Sequence, residues 1–270
     1  MKSKFDLDVT YYDGFENLSL QYFKFPGGEL QPKIILRSGV LGVWINAIIK
    51  DSDGLIMLAL IKDILDRQEV DKINLKLVYM PYARQDRVCN EGEAFGLKVI
   101  ANLINSLNFD EVMVDDPHSD VTPALLENVV VQRQVDCFAA TKFTDNVYEV
   151  EFFKDHLLIS PDAGANKKTL EVAKYLGHDN FIRADKIRNV STGVIEHTMV
   201  FGNVVDRDCL IVDDICDGGA TFIALAKQLK FQDAKSVSLY VTHGIFSKGK
   251  QHLLDNGIDN IYCYHDWTEE

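Results

Sequence analysis

The sequence predicts an α/β protein of two similar domains, each a mostly parallel sheet flanked by helices. Three observations carry this. Apolar runs of strand length alternate with helical patterns along most of the chain. The strand candidates are nearly continuous apolar runs, as strands covered on both faces are. Polar clusters follow the strands, and open parallel sheets bind ligands beyond the carboxyl ends of their strands. The 270 residues suffice for two ordinary domains. An irregular stretch from about 130 to 150 marks the junction, so the domains are expected at 1–135 and 136–270.

Taken in order, NLKLVYMPY (74–82) reads as a strand. The pattern at 90–107 reads as a helix, opened by Asn90 and Glu93 in capping-box spacing, with Phe95, Val99, Leu103 and Leu107 along its apolar face. EVMVDD (111–116) is the next strand. HLLIS (156–160) is a strand and NKKTLEVAKYLG (166–177) a helix. DCLIVDD (208–214) is a strand, TFIALAKQLK (221–230) a helix and SVSLYVTH (236–243) a strand. The clusters at the carboxyl ends of these strands are PYARQDR, DDPHSD, SPDAGANKK, DDICDGGAT and THGIFSKG.

Composition narrows the function classes. Apolar residues make up 47% and charged residues 26%, as in soluble globular proteins. The net charge of −13 disfavours a nucleic-acid surface, yet local positive charge can still bind an anion. No apolar run is long enough to span a membrane, and MKSKFDLDVTYYDGFE lacks the apolar core of a secretion signal. Five cysteines without a CxxC pair read as reduced thiols, so a cytoplasmic location is expected.

The stretch LIVDDICDGGATF (210–222) sets three acids beside a glycine turn that opens a helix. Such a turn offers backbone N–H groups to an anion, whereas carboxylates repel one. A sugar phosphate reconciles the two. Ionised carboxylates are acceptors and suit the ribose hydroxyls, while the turn holds the phosphate. On spacing alone the stretch fits an ordinary strand–turn–helix with acids near a helix start equally well.

Resemblance adds to this. LIVDDICDGGATF resembles the ribose-phosphate signature shared by type I phosphoribosyltransferases and ribose-phosphate pyrophosphokinases. PYARQDR (81–87) resembles the ATP loop of the pyrophosphokinases alone. FPGGE (25–29), DPH (116–118), SPDAG (160–164), DKIR (185–188) and THGIFS (242–247) are similar to further motifs of that family, in the family's order. The resemblance implies two type I phosphoribosyltransferase-like domains with the active site between them. It implies transfer of the β,γ-diphosphate of Mg·ATP to the anomeric hydroxyl of a ribose 5-phosphate-type acceptor, with release of AMP. Arg84 and Gln85, with Asp86 beside them, would bind ATP. Phe25 and Glu29 would hold the adenine, from a neighbouring subunit of a homo-oligomer, dimer or hexamer. His118 and Asp162 would bind Mg²⁺. Lys186 and Arg188, on a polar loop DKIRNVSTG, would close over the transferring diphosphate, with His118 also in the catalytic set. Asp213, Asp214 and Asp217 would hold the ribose, and Gly218, Gly219 and Thr221 its 5-phosphate.

The chain departs from the family pattern at three places. The phosphate loop D-T-G-G-T reads Asp217-Gly218-Gly219-Ala220-Thr221, so one hydroxyl is absent. The acid of the F-x-D-G-E loop is Gly27, and the chain stops at DWTEE, earlier than typical members. These features resemble a compact, often phage-encoded branch that accompanies nicotinamide-using transferases. There the acceptor can be ADP-ribose, giving ADP-ribose 1-pyrophosphate for rebuilding NAD⁺, and ribose 5-phosphate stands nearly level with it. Competing readings are a phosphoribosyltransferase without an ATP site and a non-catalytic regulatory subunit.

Overall fold

The computed structural model describes residues 7–12, 17–37, 39–141, 152–178, 181–188 and 195–268, with backbone alone at 17, 186–188 and 195–197. The chain divides into two compact units, Met1–Gln132 and Arg133–Glu270. Among the described residues each unit holds one six-stranded sheet.

In the N-terminal unit β1 (Leu7–Tyr11) pairs antiparallel with both β2 (Asn17–Leu18) and β5 (Gly42–Ile48). From β5 the sheet continues in parallel through β6 (Lys72–Tyr79), β7 (Glu111–Asp115) and β8 (Val129–Gln132). Helix α1 (Ser52–Arg67) links β5 to β6. The Asp51 side chain caps it by accepting from the Gly54 N–H at 2.9 Å. Met57, Leu58, Ile61 and Leu65 recur at helical spacing and are buried in the core of this unit. A separate hairpin, β3 (Gln21–Lys24) and β4 (Leu30–Lys33), closes through the FPGGE turn.

Helix α2 is shorter than its sequence pattern suggests: it runs Gly96–Ser106, not 90–107. Glu93 does accept from the Asn90 N–H at 3.0 Å and from Asn90 Nδ2 at 2.6 Å, but this box closes a turn in the loop ahead of the helix. The buried face differs along the helix, although Phe95 and Leu107, which flank it, are half-buried against the core as expected. Leu97, Ile100, Ala101 and Ile104 face the core, while Val99 and Leu103 are exposed. Two apolar stripes share this helix, and the one in register with Gly96 is the stripe that the sheet covers. Short α3 (Val121–Leu125) follows β7.

The C-terminal unit opens with α4 (Gln134–Ala140), inside the stretch read as irregular, and residues 142–151 of that stretch lie outside the described residues. Its sheet runs β11 (Ile195–Val200), β10 (Ile182–Arg188), β9 (Leu157–Ser160), β12 (Asp208–Cys216), β13 (Ser236–Gly244), β14 (Asn260–Asp266). All pairs are parallel except β10 with β11. Helix α5 (Asn166–Tyr175) follows β9, α6 (Ala220–Phe231) follows β12, and α7 (Lys250–Leu254) precedes β14. β12 shows why residues 209–212 are all apolar. Cys209 and Ile211 pack with Phe222, Leu225 and Leu229 of α6. Leu210 and Val212 pack on the other face with Phe138, Val172 and Tyr240. No helix among the described residues is long and apolar enough to cross a membrane, and all five cysteines are free thiols.

Candidate functional site

The C-terminal unit gathers acids at the carboxyl end of β12 and follows them with a turn into α6. Asp213 Oδ1 accepts from the Asp214 N–H at 2.9 Å. Burial, then the carboxylates of Asp214 and Asp162, push the Asp213 carboxyl well above the usual carboxylate range. Asp214 is buried, with the Lys168 ammonium 3.7 Å away. Asp162, after β9, uses one oxygen to accept from the Ala165 N–H at 3.1 Å, which fixes the SPDAG turn. The side chain of Gly164 would stand 3.2 Å from that same oxygen, so a residue without Cβ lets the carboxylate fold over the turn. Like charges held this close are costly alone and suit a ligand with hydroxyl groups or an associated cation.

Asp217, Gly218 and Gly219 make the turn, and Thr221 sits in the first turn of α6. Gly219 has φ of 76°, and a Cβ there would meet Leu253 Cδ2 at 2.4 Å. Both conformation and packing therefore require glycine at 219. The opening N–H groups of α6 have no acceptor within the helix and can meet an anion. Cys216, just before the turn, is no nucleophile: burial, then Asp213, Asp217 and Cys263, push its thiol up to about 12. The loop after β13 is tied to this turn by the Phe246 N–H, which donates to the Cys216 carbonyl at 3.0 Å. THGIFS thereby lies against DDICDGGAT, and Lys168 lies against Asp214. Sequence reading assigned Lys168 no place, and its i+6 spacing from Asp162 gives no signal for a contact with β12.

In the N-terminal unit PYARQDR leaves the end of β6 and DPHSD the end of β7. Arg84 and Gln85 are exposed. The Gln85 N–H donates to the Tyr82 carbonyl at 2.9 Å, and Tyr82 takes a left-handed φ of 61°. A Cβ at Gly96 would stand 2.3 Å from Gln85 Oε1, so glycine there lets the Gln85 side chain lie over the start of α2. Asp86 differs from its neighbours. It is buried and binds Arg87 Nε at 2.9 Å. A hydrogen bond from Arg87 lowers its carboxyl below the usual range, against burial and with help from Ser119 and His118. Asp86 is thus held by Arg87 within the β6 loop, while Arg84 and Gln85 are exposed. His118 is exposed.

Phe25 and Glu29 bracket the hairpin turn, where the Phe25 N–H donates to the Glu29 carbonyl at 2.8 Å. Phe25 is exposed and packs edge-on against exposed Phe23. A side chain at Gly27 would collide with the Glu29 carboxylate at 2.6 Å, so glycine at 27 gives that carboxylate its place over the turn. Lys186 and Arg188 lie on β10, not on a loop. Their backbones pair with β11, Lys186 opposite Thr198 and Arg188 opposite Ile195. Apolar and charged residues alternate only over Ile182–Asp185; the alternation breaks at Lys186, and the polar tail NVSTG follows, so the sequence reads as a loop. The side chains of both, and residues 189–194, lie outside the described residues. Among the described residues no three His, Cys, Asp or Glu side chains form a metal cage. His118 belongs to the N-terminal unit and Asp162 to the C-terminal one.

Comparison with known proteins places these motifs in context. Residues 141–267 match the family model described as phosphoribosyl transferase domain. The ribose-phosphate pyrophosphokinase of Pyrococcus furiosus is 30% identical, over 88% of this chain and 82% of its own length. That of Haemophilus influenzae is 28% identical, over 88% of this chain and 75% of its own. Among solved structures, phosphoribosylpyrophosphate synthetase from Mycobacterium smegmatis shares the fold with a TM-score of 0.75, at 22% identity, over 90% of this chain and 79% of that one.

Proposed function

The chain belongs to the ribose-phosphate pyrophosphokinase family of diphosphotransferases, and from that premise we propose that it moves the β,γ-diphosphate of Mg·ATP to the anomeric hydroxyl of a 5-phosphorylated ribose. The hydroxyl oxygen bonds to the β-phosphorus, the bond from that phosphorus to the α,β-bridging oxygen breaks, and AMP leaves. The observation that supports this most is the β12–α6 turn. It sets a carboxyl group of raised pKa, Asp213, beside Asp214 and then a run of helix-opening amides. A ribose phosphate uses both, its hydroxyls on the acids and its phosphate on the amides.

Arg84 and Gln85 are the exposed donors for ATP, and Asp86 serves by pairing with Arg87 inside their loop. Phosphoryl transfer depends chiefly on positioning and charge neutralisation. Lys186 and Arg188 would supply positive charge to the diphosphate in flight. His118 and Asp162 would receive Mg²⁺ with ATP, and a cation that keeps several waters needs only such sparse protein ligands. The build-up of acid around Asp213 fits a cation nearby. Phe25 and Glu29 would complete the adenine site of a neighbouring subunit in a homo-oligomer.

Ribose 5-phosphate is one acceptor. ADP-ribose is the second, favoured by Gly218, which leaves the phosphate turn without the hydroxyl that would crowd a substituted phosphate. In that case a nicotinamide-using transferase would consume the product. The test is AMP release from Mg·ATP with the two acceptors offered in parallel. AMP formed with either one supports the proposal. AMP with neither, or a nucleobase-dependent reaction without ATP, overturns it.

A further inference from the structure

Glycine at 218 and glycine at 219 have different reasons to be there. Gly219 is held by its left-handed backbone and by Leu253. Gly218 is held by neither. Its φ lies outside the left-handed range, and a Cβ there would meet only ordinary contacts: Lys248 Cε at 3.6 Å, Lys248 Cδ at 3.8 Å and Ser247 Oγ at 3.8 Å. Neither conformation nor packing therefore requires glycine at 218, and what borders the position is a hydroxyl and the stem of a lysine.

The loop carrying those two residues is fixed at both ends. The buried Phe246 ring fills the space where Gly244 has no side chain, at 2.1 Å from a would-be Cβ, and its N–H binds Cys216. The Gly249 N–H donates to the Phe246 carbonyl at 2.7 Å. Lys250 is spent on structure, paired with the Asp266 carboxylate and lying over the Phe246 ring. Lys248 is not: it is exposed and makes no ion pair among the described residues, although acids crowd the neighbouring turn. A lysine carries a full charge and three donors on a flexible stem, more than the threonine hydroxyl missing at 218 would offer.

We infer that Lys248 and Ser247 form an anion subsite beside Gly218, which holds a second phosphate joined through an anhydride oxygen to the acceptor's 5-phosphate. This deepens the acceptor reading of the β12–α6 turn and rests on it. The first phosphate sits on the helix-opening amides. The chain beyond it leaves past Gly218, where no Cβ stands in its way, and its next phosphate meets the Lys248 ammonium and the Ser247 hydroxyl. The substrate class is a ribose carrying a 5-diphosphate ester.

Steady-state AMP release by the wild type, Lys248→Ala and Lys248→Arg, with ribose 5-phosphate and ADP-ribose as acceptors, tests this. Losing a charge-assisted contact weakens binding by about tenfold or more. Lys248→Ala should therefore raise KM for ADP-ribose about tenfold more than KM for ribose 5-phosphate. Lys248→Arg, which keeps the charge, should restore most of the difference. Equal shifts for the two acceptors overturn the inference, as does wild-type turnover of ribose 5-phosphate with no binding of ADP-ribose. If the wild type releases no AMP with either acceptor, the proposed function fails on its own. Calorimetric binding of ADP-ribose then decides the subsite: about tenfold weaker binding by Lys248→Ala supports it, and equal affinity overturns it.

Discussion

β6 in the N-terminal unit and β12 in the C-terminal unit hold the same place in their sheets. Each is fourth of six in strand order, between two parallel neighbours. The two strands differ in the segments that leave their carboxyl ends. β6 leads into a long loop, residues 80–95, that presents Arg84 and Gln85 to solvent and buries Asp86. β12 leads through residues 217–219 directly into a helix and keeps its acids, Asp213 and Asp214, on the strand itself. On the proposed function, the first strand end would take ATP and the second a ribose with its phosphate. The sheet supplies the position, and the loop supplies the chemistry.

The largest effect expected comes from removing a charge that lies outside both loops, on β10. Lys186→Ala should lower kcat by about a hundredfold or more, as loss of a transition-state charge stabiliser does. Near-normal turnover in stopped AMP-release assays would refute that role. Arg84→Ala sharpens the division between the strand ends. Losing charge-assisted hydrogen bonds of about 1.5–3 kcal/mol should raise KM for ATP by about ten- to a hundredfold. KM for the acceptor should move far less, and an equal rise in both would break the division.

The two glycines of the β12 turn offer a control inside one loop. Gly219→Ala places a residue at φ of 76° and 2.4 Å from Leu253, which should cost about 1–3 kcal/mol in chemical denaturation. Gly218→Ala, with ordinary contacts only, should stay within about 0.5 kcal/mol of wild type. Equal losses would show that the turn is not held as described.

Asp213 gives the smallest effect and the most specific sign. Its folded pKa is raised, so its contribution to stability is full below the ordinary aspartate range and is lost as pH rises through the raised value. Asp213→Asn removes that loss. It should raise the melting temperature at neutral pH by about 2–4 °C for each 1 kcal/mol relieved, and gain less near pH 4. Acceptor turnover should fall in the same variant. A variant less stable at pH 8 than at pH 5, relative to wild type, would contradict the assignment.

Much of this was legible in the sequence, for a physical reason. Strands buried on both faces leave unbroken apolar runs, so β6, β7, β9, β12 and β13 announce themselves, and with them the polar clusters at their carboxyl ends. The start of α2 was not legible. Asn90 and Glu93 form their box in a loop, and only the register against the sheet decides between the stripe of Leu97, Ile100, Ala101 and Ile104 and that of Phe95, Val99 and Leu103. The strand placement of Lys186 and Arg188 was hidden because a short antiparallel ribbon next to a polar loop has the composition of the loop. The closeness of Lys248 to Gly218, thirty positions apart, depends on a backbone hydrogen bond from Phe246 to Cys216 that no spacing rule reveals.

Transfer of two phosphoryl groups in one step underlies every role assigned above, and product stoichiometry probes it without intermediaries. The protein is incubated with Mg·ATP and each acceptor, and mass spectrometry follows both nucleotide and sugar products. The expected outcome is one AMP for each acceptor molecule that gains a diphosphate. ADP with a single phosphoryl gain, or AMP formed at the same rate without acceptor, would contradict it.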